Sequence, residues 1–214
     1  ERPALREGGI IKRAWLRYWH ALPNPADVTQ RLQSWDMAFK GKEDSSPVCG
    51  QAWIARGADY YLIDQVRDRM TFTVTCDAVV SFSAKHPAIA RKLVEDKANG
   101  PAVIEVLQHN VPGLVGEPVE GGDKDARLKA ISPFYESGNV WIPDPALPGM
   151  EWVHDYVEEL CGEKPGHKDQ RDTTAQAVRR LSKSGSSSLQ IYGAALCPHG
   201  KTTFQPCWPC GRIG

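Results

Sequence analysis

The sequence has no excess charge of either sign, because its 26 Lys and Arg side chains are matched by 26 Asp and Glu side chains. It therefore lacks the overall basic field that attracts polyanions, and any contact with a nucleic acid must come from local clusters. It also lacks an apolar run near the roughly 18 residues that a membrane span needs, and its charged N-terminus is unlike a secretion signal. We therefore expect a soluble, intracellular chain.

A nucleotide-binding loop of the G-x-x-x-x-G-K-[ST] type is missing as well. What is present is an apolar fraction of 41% with 7 Trp, which predicts a folded globule. The length favours one main domain, at residues 25–181. A basic and aromatic connecting arm at residues 1–24 would precede it, and a Ser/Gly linker with a Cys/His tail at residues 182–214 would follow it.

Aromatic, β-branched and periodic apolar residues predict a mixed α/β fold. Strands are expected at residues 30–39, 48–55, 60–67, 90–95 and 114–118, with a short extended piece at 140–143. Helices are expected at residues 71–84, 101–109, 126–136, 150–161 and 169–181. The first three strands are antiparallel because residues 56–59 form a hairpin-type turn. The next two are joined by a helix, which predicts a parallel pair.

Acidic side chains stand at strand ends and helix starts that are far apart in the sequence. Asp36 lies within the first strand, where Asp is disfavoured, and Glu95 and Asp96 end the fourth. Asp169 begins the last helix. Because the carboxyl ends of strands in α/β sheets open onto a common crevice, we expect these side chains to share one site. Their oxygens suit Mg²⁺ or Mn²⁺ rather than zinc.

A centre of this kind suits phosphodiester hydrolysis. Two divalent ions about 3.5–4 Å apart can serve both the attacking water and the leaving oxygen. Asp36 is the expected bridging ligand. Glu95 and Asp96 point to opposite faces of their strand, so one of them binds metal and the other forms an ion pair or caps the next helix.

Three motifs give the chain a family resemblance. They are Ser34-Trp35-Asp36, Val94-Glu95-Asp96-Lys97-Ala98-Asn99-Gly100 and His167-Lys168-Asp169-Gln170-Arg171-Asp172. Over residues 9–181 they resemble the C-terminal nuclease domain of phage large terminase subunits. The resemblance implies a ribonuclease H-like fold and a metal-dependent endonuclease that cuts concatemeric double-stranded DNA during genome packaging. Residues after about 182 lie outside it.

The resemblance also implies roles for individual residues. Glu95 is spaced from Gly100 as an E-x-x-x-x-G variant of the second motif requires, which favours it over Asp96. Asp169 is the expected third metal ligand. The residues around it are His167, Lys168 and Asp172, of which Asp172 would support the ligands or cap the helix.

Lys168 is a departure from the family pattern, which usually reads His-Asp-Asp-Gln-x-Asp at the third motif. An ammonium among carboxylates would compete with a metal ion for the same charge. The alternative function is therefore a DNA-binding or motor-docking module that keeps the fold and cuts weakly or not at all.

Basic side chains near the predicted strand tips are the candidates for contacts with DNA phosphates. They are Lys40, Lys42, Arg67, Arg69, Lys97, Lys124 and Arg127. The resemblance adds partners: an ATPase domain of the same terminase, which this chain would lack, the small terminase subunit and the portal. It places the protein in the host cytoplasm during phage assembly.

Four residues of the tail have the order of a small tetrahedral zinc site, C-x-H followed by C-x-x-C. They are Cys197, His199, Cys207 and Cys210. A metal would supply the folding energy that so short a segment lacks. The single residue between Cys197 and His199 is tighter than the usual ligand spacing. A structural zinc knuckle and a tail without metal therefore both stay open.

Overall fold

The computed structural model describes residues 9–37, 47–97, 99–119, 121–162 and 168–187, with side chains to residue 183. Its strands are β1 Arg17–Trp19, β2 Gln30–Asp36, β3 Val48–Arg56, β4 Asp59–Asp68, β5 Arg91–Glu95, β6 Leu114–Glu117 and β7 Val140–Pro143. Its helices are α1 Phe72–Lys85, α2 Gly100–Leu107, α3 Lys124–Glu136, α4 Val153–Cys161 and α5 Asp169–Ser187. Among the described helices, none has the length and apolar character needed to span a bilayer.

The described strands form one mixed sheet in the order β1-β7-β4-β3-β2-β5-β6. Strands β2, β3 and β4 are antiparallel neighbours, while β5 pairs in parallel with both β2 and β6. The β3–β4 turn is tight because Gly57 adopts a φ of 59°, which residues with a Cβ rarely do. The predicted ribonuclease H-like arrangement of three antiparallel strands followed by parallel strands is confirmed.

The N-terminal segment belongs to the sheet. Strand β1 pairs in parallel with β7, with Arg17 opposite Trp141. Ile11 is fully buried, and Trp19 donates its indole N–H to the carbonyl of Leu62 (2.8 Å). The expected connecting arm at residues 1–24 is therefore, from residue 9 onward, packed into the domain. Sequence periodicity missed β1 because a three-residue strand is too short to show a pattern.

Contacts group residues 1–181 into one compact unit and residues 182–214 into another. Helix α5 nevertheless continues to Ser187, so the Ser/Gly run expected to begin a flexible linker at residue 182 starts as helix. Extending a formed helix costs little, because each added residue gains a backbone hydrogen bond, and this offsets the weak helix preference of Ser and Gly. The Cys/His tail lies outside the described residues.

The two faces of the sheet are covered by different helices, because successive strand side chains alternate. Leu32 of β2 and Leu93 of β5 pack beneath α3, α4 and α5. Trp35 and Val94, their strand neighbours of opposite parity, pack beneath α1 and α2. By the same alternation Asp36 lies on the α5 side, where it is buried.

A buried chain of hydrogen bonds fixes α5 against the sheet. The hydroxyls of Tyr135 and Tyr156 are 3.1 Å apart, and Tyr156 is 3.1 Å from the hydroxyl of Thr174 on α5. Thr174 and Trp53 both donate to the side-chain carbonyl of Gln51 (3.1 and 3.0 Å). Satisfied polar groups of this kind specify one position of a helix in a way that apolar contact alone does not.

Asp64 of β4 is held near the end of α1. Its carboxylate lies 2.7 Å from His86 Nε2 and 2.6 Å from Lys85 Nζ. Burial acts to raise the pKa of Asp64, but the hydrogen bonds and charges of His86 and Lys85 outweigh it and hold the pKa below its usual value.

Replacing Asp64 with Asn is expected to lower the free energy of unfolding at pH 7 by about 1.5 kcal/mol, a typical value for a hydrogen bond to a charged group. A lowered folded-state pKa means that this contribution is full above the unfolded-state value of about 3.9 and disappears as the pH falls through the folded-state value. Urea unfolding at pH 7 and pH 3 measures it. Asp77→Asn, an exposed change on α1, is the control, and equal losses in both variants would contradict the prediction.

Candidate functional site

Asp36 is the most deeply placed acid of the predicted set. It ends β2, is paired in register with Cys49 of β3, and is 4% exposed. Burial, and then the negative charge of Glu95, raise the pKa of Asp36 to about 7; Asp172 and Asp169 add to this and Lys124 opposes it. The pKa is raised because little solvent reaches the carboxylate to stabilise its charge, and because nearby acids repel that charge.

Glu95 and Asp96 separate as strand alternation predicts. Glu95 is half-buried on the α5 side, where its Oε1 accepts from Arg127 Nη1 (2.9 Å). Asp96 is exposed on the other side, next to Gly116, and a side chain at Gly116 would meet both Asp96 and Ile104 of α2. The structure therefore brings Glu95, and not Asp96, to the side of Asp36.

Asp172 joins this group from α5. It is 5% exposed and forms ion pairs with Lys124 and with Arg127, whose Nη2 lies 2.8 Å from its Oδ1. Both of its carboxylate oxygens are buried, and neither accepts a well-directed hydrogen bond from the described part of the chain. Arg127 thus bridges Glu95 and Asp172. The prediction gave Asp172 only a supporting or capping role.

Asp169 forms its ion pair with Arg67 and not with the cations of α3. It is 1% exposed, and Arg67 binds both of its oxygens, through Nε (2.6 Å) and Nη2 (3.2 Å). Glu159 of α4 approaches the same guanidinium (3.4 Å) and accepts the backbone N–H groups of Gln170 and Arg171 (2.8 and 3.1 Å). The predicted third ligand, Asp169, and a predicted DNA contact, Arg67, are therefore partners in an ion pair whose carboxylate is buried.

Glu159 was not among the predicted site residues. It fills the role of an N-terminal cap from another helix, because it satisfies free N–H groups in the first turn of α5 and places negative charge at the positive end of the helix dipole. In the sequence Glu159 is one acid in an amphipathic helix, and no neighbouring residue indicates that it would contact the start of α5.

Lys168 does not lie among the site carboxylates. Its Nζ donates to Asp125 in the first turn of α3 (2.7 Å). The ammonium that stands among them is Lys124, paired with Asp172 and felt electrostatically by Asp36 and Glu95. The lysine placed beside these acids is therefore Lys124 and not the predicted Lys168. His167 lies outside the described residues.

The predicted DNA-contacting side chains fall into three groups. Arg67, Lys124 and Arg127 are engaged with carboxylates, whereas Arg69 and Lys97 are exposed. Lys40 and Lys42 lie outside the described residues.

A hard divalent cation fits the donor set. As the side chains stand, no three His, Cys, Asp or Glu groups in the described ranges are close enough together to hold a metal ion. Yet Asp36, Glu95 and Asp172 offer only oxygen, and two of them, Asp36 and Asp172, are buried. Asp172 also has oxygens without well-directed hydrogen bonds, and Lys124 and Arg127 supply the positive charge. A bound metal ion would likewise supply positive charge to these carboxylates.

A family model described as the terminase RNaseH-like domain matches residues 33–181. The chain belongs to this family. The match contains all three motifs from which the resemblance was predicted. No curated protein sequence matches the chain.

Solved terminase structures share the fold. The large terminase nuclease of thermophilic phage G20c is 14% identical, with a TM-score of 0.55 over 77% of this chain and 92% of that one. The human cytomegalovirus terminase nuclease domain is 14% identical, with a TM-score of 0.55 over 83% and 97%. The large terminase of a second thermophilic bacteriophage is 11% identical, with a TM-score of 0.59 over 81% of this chain. This chain spans 44% of that large terminase.

At these identities the similarity establishes the fold alone. The G20c nuclease has been solved with bound magnesium and with bound zinc, and the cytomegalovirus domain in a manganese-soaked form.

Replacing Arg67 with Met is expected to destabilise the chain by about 3 kcal/mol, because it leaves the buried Asp169 carboxylate without its counter-charge. The double variant Arg67→Met with Asp169→Asn should recover part of the loss, since it removes both charges together. Urea unfolding measures both. Arg69→Met, an exposed change two residues away, is the matched control. A loss no larger than that of the control would contradict the assignment of Arg67 to Asp169.

Proposed function

We propose that this terminase domain is a divalent-metal-dependent endonuclease that hydrolyses phosphodiester bonds of double-stranded concatemeric DNA during phage genome packaging. Family membership and the ribonuclease H-like fold support a nuclease role in DNA packaging. The observation that carries the proposal is that Asp36 interacts with the charges of Glu95 and Asp172, and that Arg127 bridges Glu95 and Asp172. These acids come from distant parts of the sequence, and the burial of Asp36 and Asp172 has no evident benefit to stability.

Asp36, Glu95 and Asp172 would hold Mg²⁺ or Mn²⁺, in a site for two ions. When bound, such ions make water a nucleophile and stabilise the leaving oxygen. The chain's own part is to fix the ligands: Asp36 through the β2–β3 ladder, Glu95 through β5 and Arg127, and Asp172 through the packing of α5. With a pKa of about 7, Asp36 carries a proton for part of the time at neutral pH, which lessens repulsion in the metal-free chain.

This ligand set keeps the preference for Glu95 over Asp96, because Glu95 lies on the α5 side of the sheet. It modifies the prediction from sequence in one respect. Asp172 replaces Asp169 because Arg67 and the nearby Glu159 already surround Asp169, whereas Asp172 shares a guanidinium with Glu95. Asp169 then acts as a positioning residue that anchors the start of α5.

The substrate and partners follow from the family. Arg69 and Lys97, which are exposed, and Lys40 and Lys42 beyond β2 are the proposed phosphate contacts. The ATPase domain, small subunit and portal remain the proposed partners of a chain that spans less than half of a large terminase with the same fold. Zinc binding by the tail stays a prediction.

Cleavage of supercoiled plasmid in the presence of Mn²⁺ or Mg²⁺ tests the proposal. The unmodified chain should nick the plasmid, and Asp36→Asn should abolish nicking, with a loss on the order of a hundredfold or more because a metal ligand is removed. Chelation of the metal should have the same effect. Activity that persists at the original rate in Asp36→Asn would overturn the proposed centre.

The neighbouring acids of β5 provide a matched pair of variants. Glu95→Gln should lose nicking to a similar extent as Asp36→Asn, whereas Asp96→Asn should retain it within a few-fold, because only Glu95 lies on the side of Asp36. The reverse result would assign the ligand to Asp96.

The variant Lys168→Asp distinguishes the proposed endonuclease from the alternative, a DNA-binding or motor-docking module that cuts weakly or not at all. Because Lys168 contacts Asp125 rather than the site, this change should leave the nicking rate nearly unchanged. An inactive chain that becomes active in Lys168→Asp would favour the module that has lost its metal site.

A further inference from the structure

Two cationic side chains, Arg127 and Lys124, pair with the site carboxylates, and they differ in exposure and in their ion pairs. Arg127 has an 11% exposed side chain and pairs with both Glu95 and Asp172. Lys124 has a 43% exposed side chain, and among the described residues its ion pair is with Asp172. Lys124 can therefore leave towards solvent, whereas moving Arg127 would uncover two carboxylates and a buried guanidinium.

The charge of Lys124 reaches the whole group of acids. It interacts with Asp172 most strongly and also with Asp36 and Glu95. These are the three side chains proposed to bind metal. The ammonium thus supplies positive charge to the same three side chains.

The position of Lys124 in its own helix is otherwise unfavourable. It is the first residue of α3, where the helix dipole disfavours positive charge, and Asp123 caps that end by accepting from the Ala126 N–H (2.7 Å). Its ion pair with Asp172 offsets this cost. Gly121 and Gly122, with φ values of 94° and 81°, precede the cap.

We propose that Lys124 is an exchangeable counter-ion: its ammonium stands in for the divalent cation in the metal-free chain and is displaced to solvent when the metal binds, while Arg127 stays in place. This inference rests on the proposed function, because it concerns the same carboxylates. Metal and ammonium then compete for Asp172, so each weakens the binding of the other. The exchange also makes Lys124 available to DNA phosphate only after metal is bound.

Release of the side chain is measured directly by lysine acylation of the full chain followed by peptide mass spectrometry. Adding Mg²⁺ or Mn²⁺ should raise modification of Lys124 several-fold. Lys129, an exposed lysine on the same helix, is the internal control and should be unaffected. Equal modification of Lys124 with and without metal would overturn the exchange.

Metal affinity is the second readout. By titration calorimetry with Mn²⁺, Lys124→Met should bind at least about fivefold more tightly than the unmodified chain, the lower end of usual coupling between competing ligands. Lys129→Met, which removes the same charge from α3, should bind as the unmodified chain does.

The two proposals fail in different ways. If the unmodified chain binds Mn²⁺ but Lys124→Met binds no more tightly, the exchange is wrong and the metal centre stands. If neither the unmodified chain nor Lys124→Met binds Mn²⁺, the metal centre and the exchange fall together.

Discussion

Negative charge at one end of the β2–β5 pair governs how the surrounding side chains are arranged. The carboxylates of Asp36 and Asp172 are buried there, and each interacts with the half-buried Glu95. Buried charges destabilise a fold unless other charges or hydrogen bonds offset them. The chain meets this requirement with cations from α3 and with a raised pKa at Asp36. Such an arrangement is typical of a site retained for function rather than for stability.

The position of α5 decides whether the carboxylates meet. Glu159 caps its first turn, and Asp169 forms an ion pair with Arg67. Thr174 takes part in the buried hydrogen bonds that include Tyr135, Tyr156 and Gln51. Ser34 of β2 also donates to the backbone carbonyl of Thr173 (2.8 Å). These contacts tie α5 to β2, β3, β4 and α4 at once, and so they fix the position of Asp172 relative to the sheet.

The sequence predicted the parts of the fold that local patterns determine. The β3–β4 hairpin follows from a turn glycine and flanking β-branched residues, and the parallel β5–β6 pair follows from the helix between them. The order of the sheet on the other edge did not follow, because β1 and β7 are short strands whose pairing joins residues more than 120 positions apart. Such pairing is set by packing and not by propensity.

The sequence predicted which types of residue form the candidate site, but it did not predict which of them contact one another. Alternation along β5 shows that Glu95 and Asp96 face opposite ways, but it does not say which face α5 covers. Asp169 and Asp172 are three residues apart and so share a helix face, and only the positions of Arg67 and Arg127 distinguish them. Likewise, Lys168 is adjacent to Asp169 in the sequence, yet Lys124 is the lysine that reaches the acids.

Anomalous scattering from crystals of the chain soaked in Mn²⁺ would locate the metal without reference to catalysis. We expect manganese bound by oxygens of Asp36, Glu95 and Asp172, with Arg67 still paired to Asp169. Manganese bound at Asp96 or Asp169 instead, or no manganese near Asp36 at saturating concentration, would contradict this expectation.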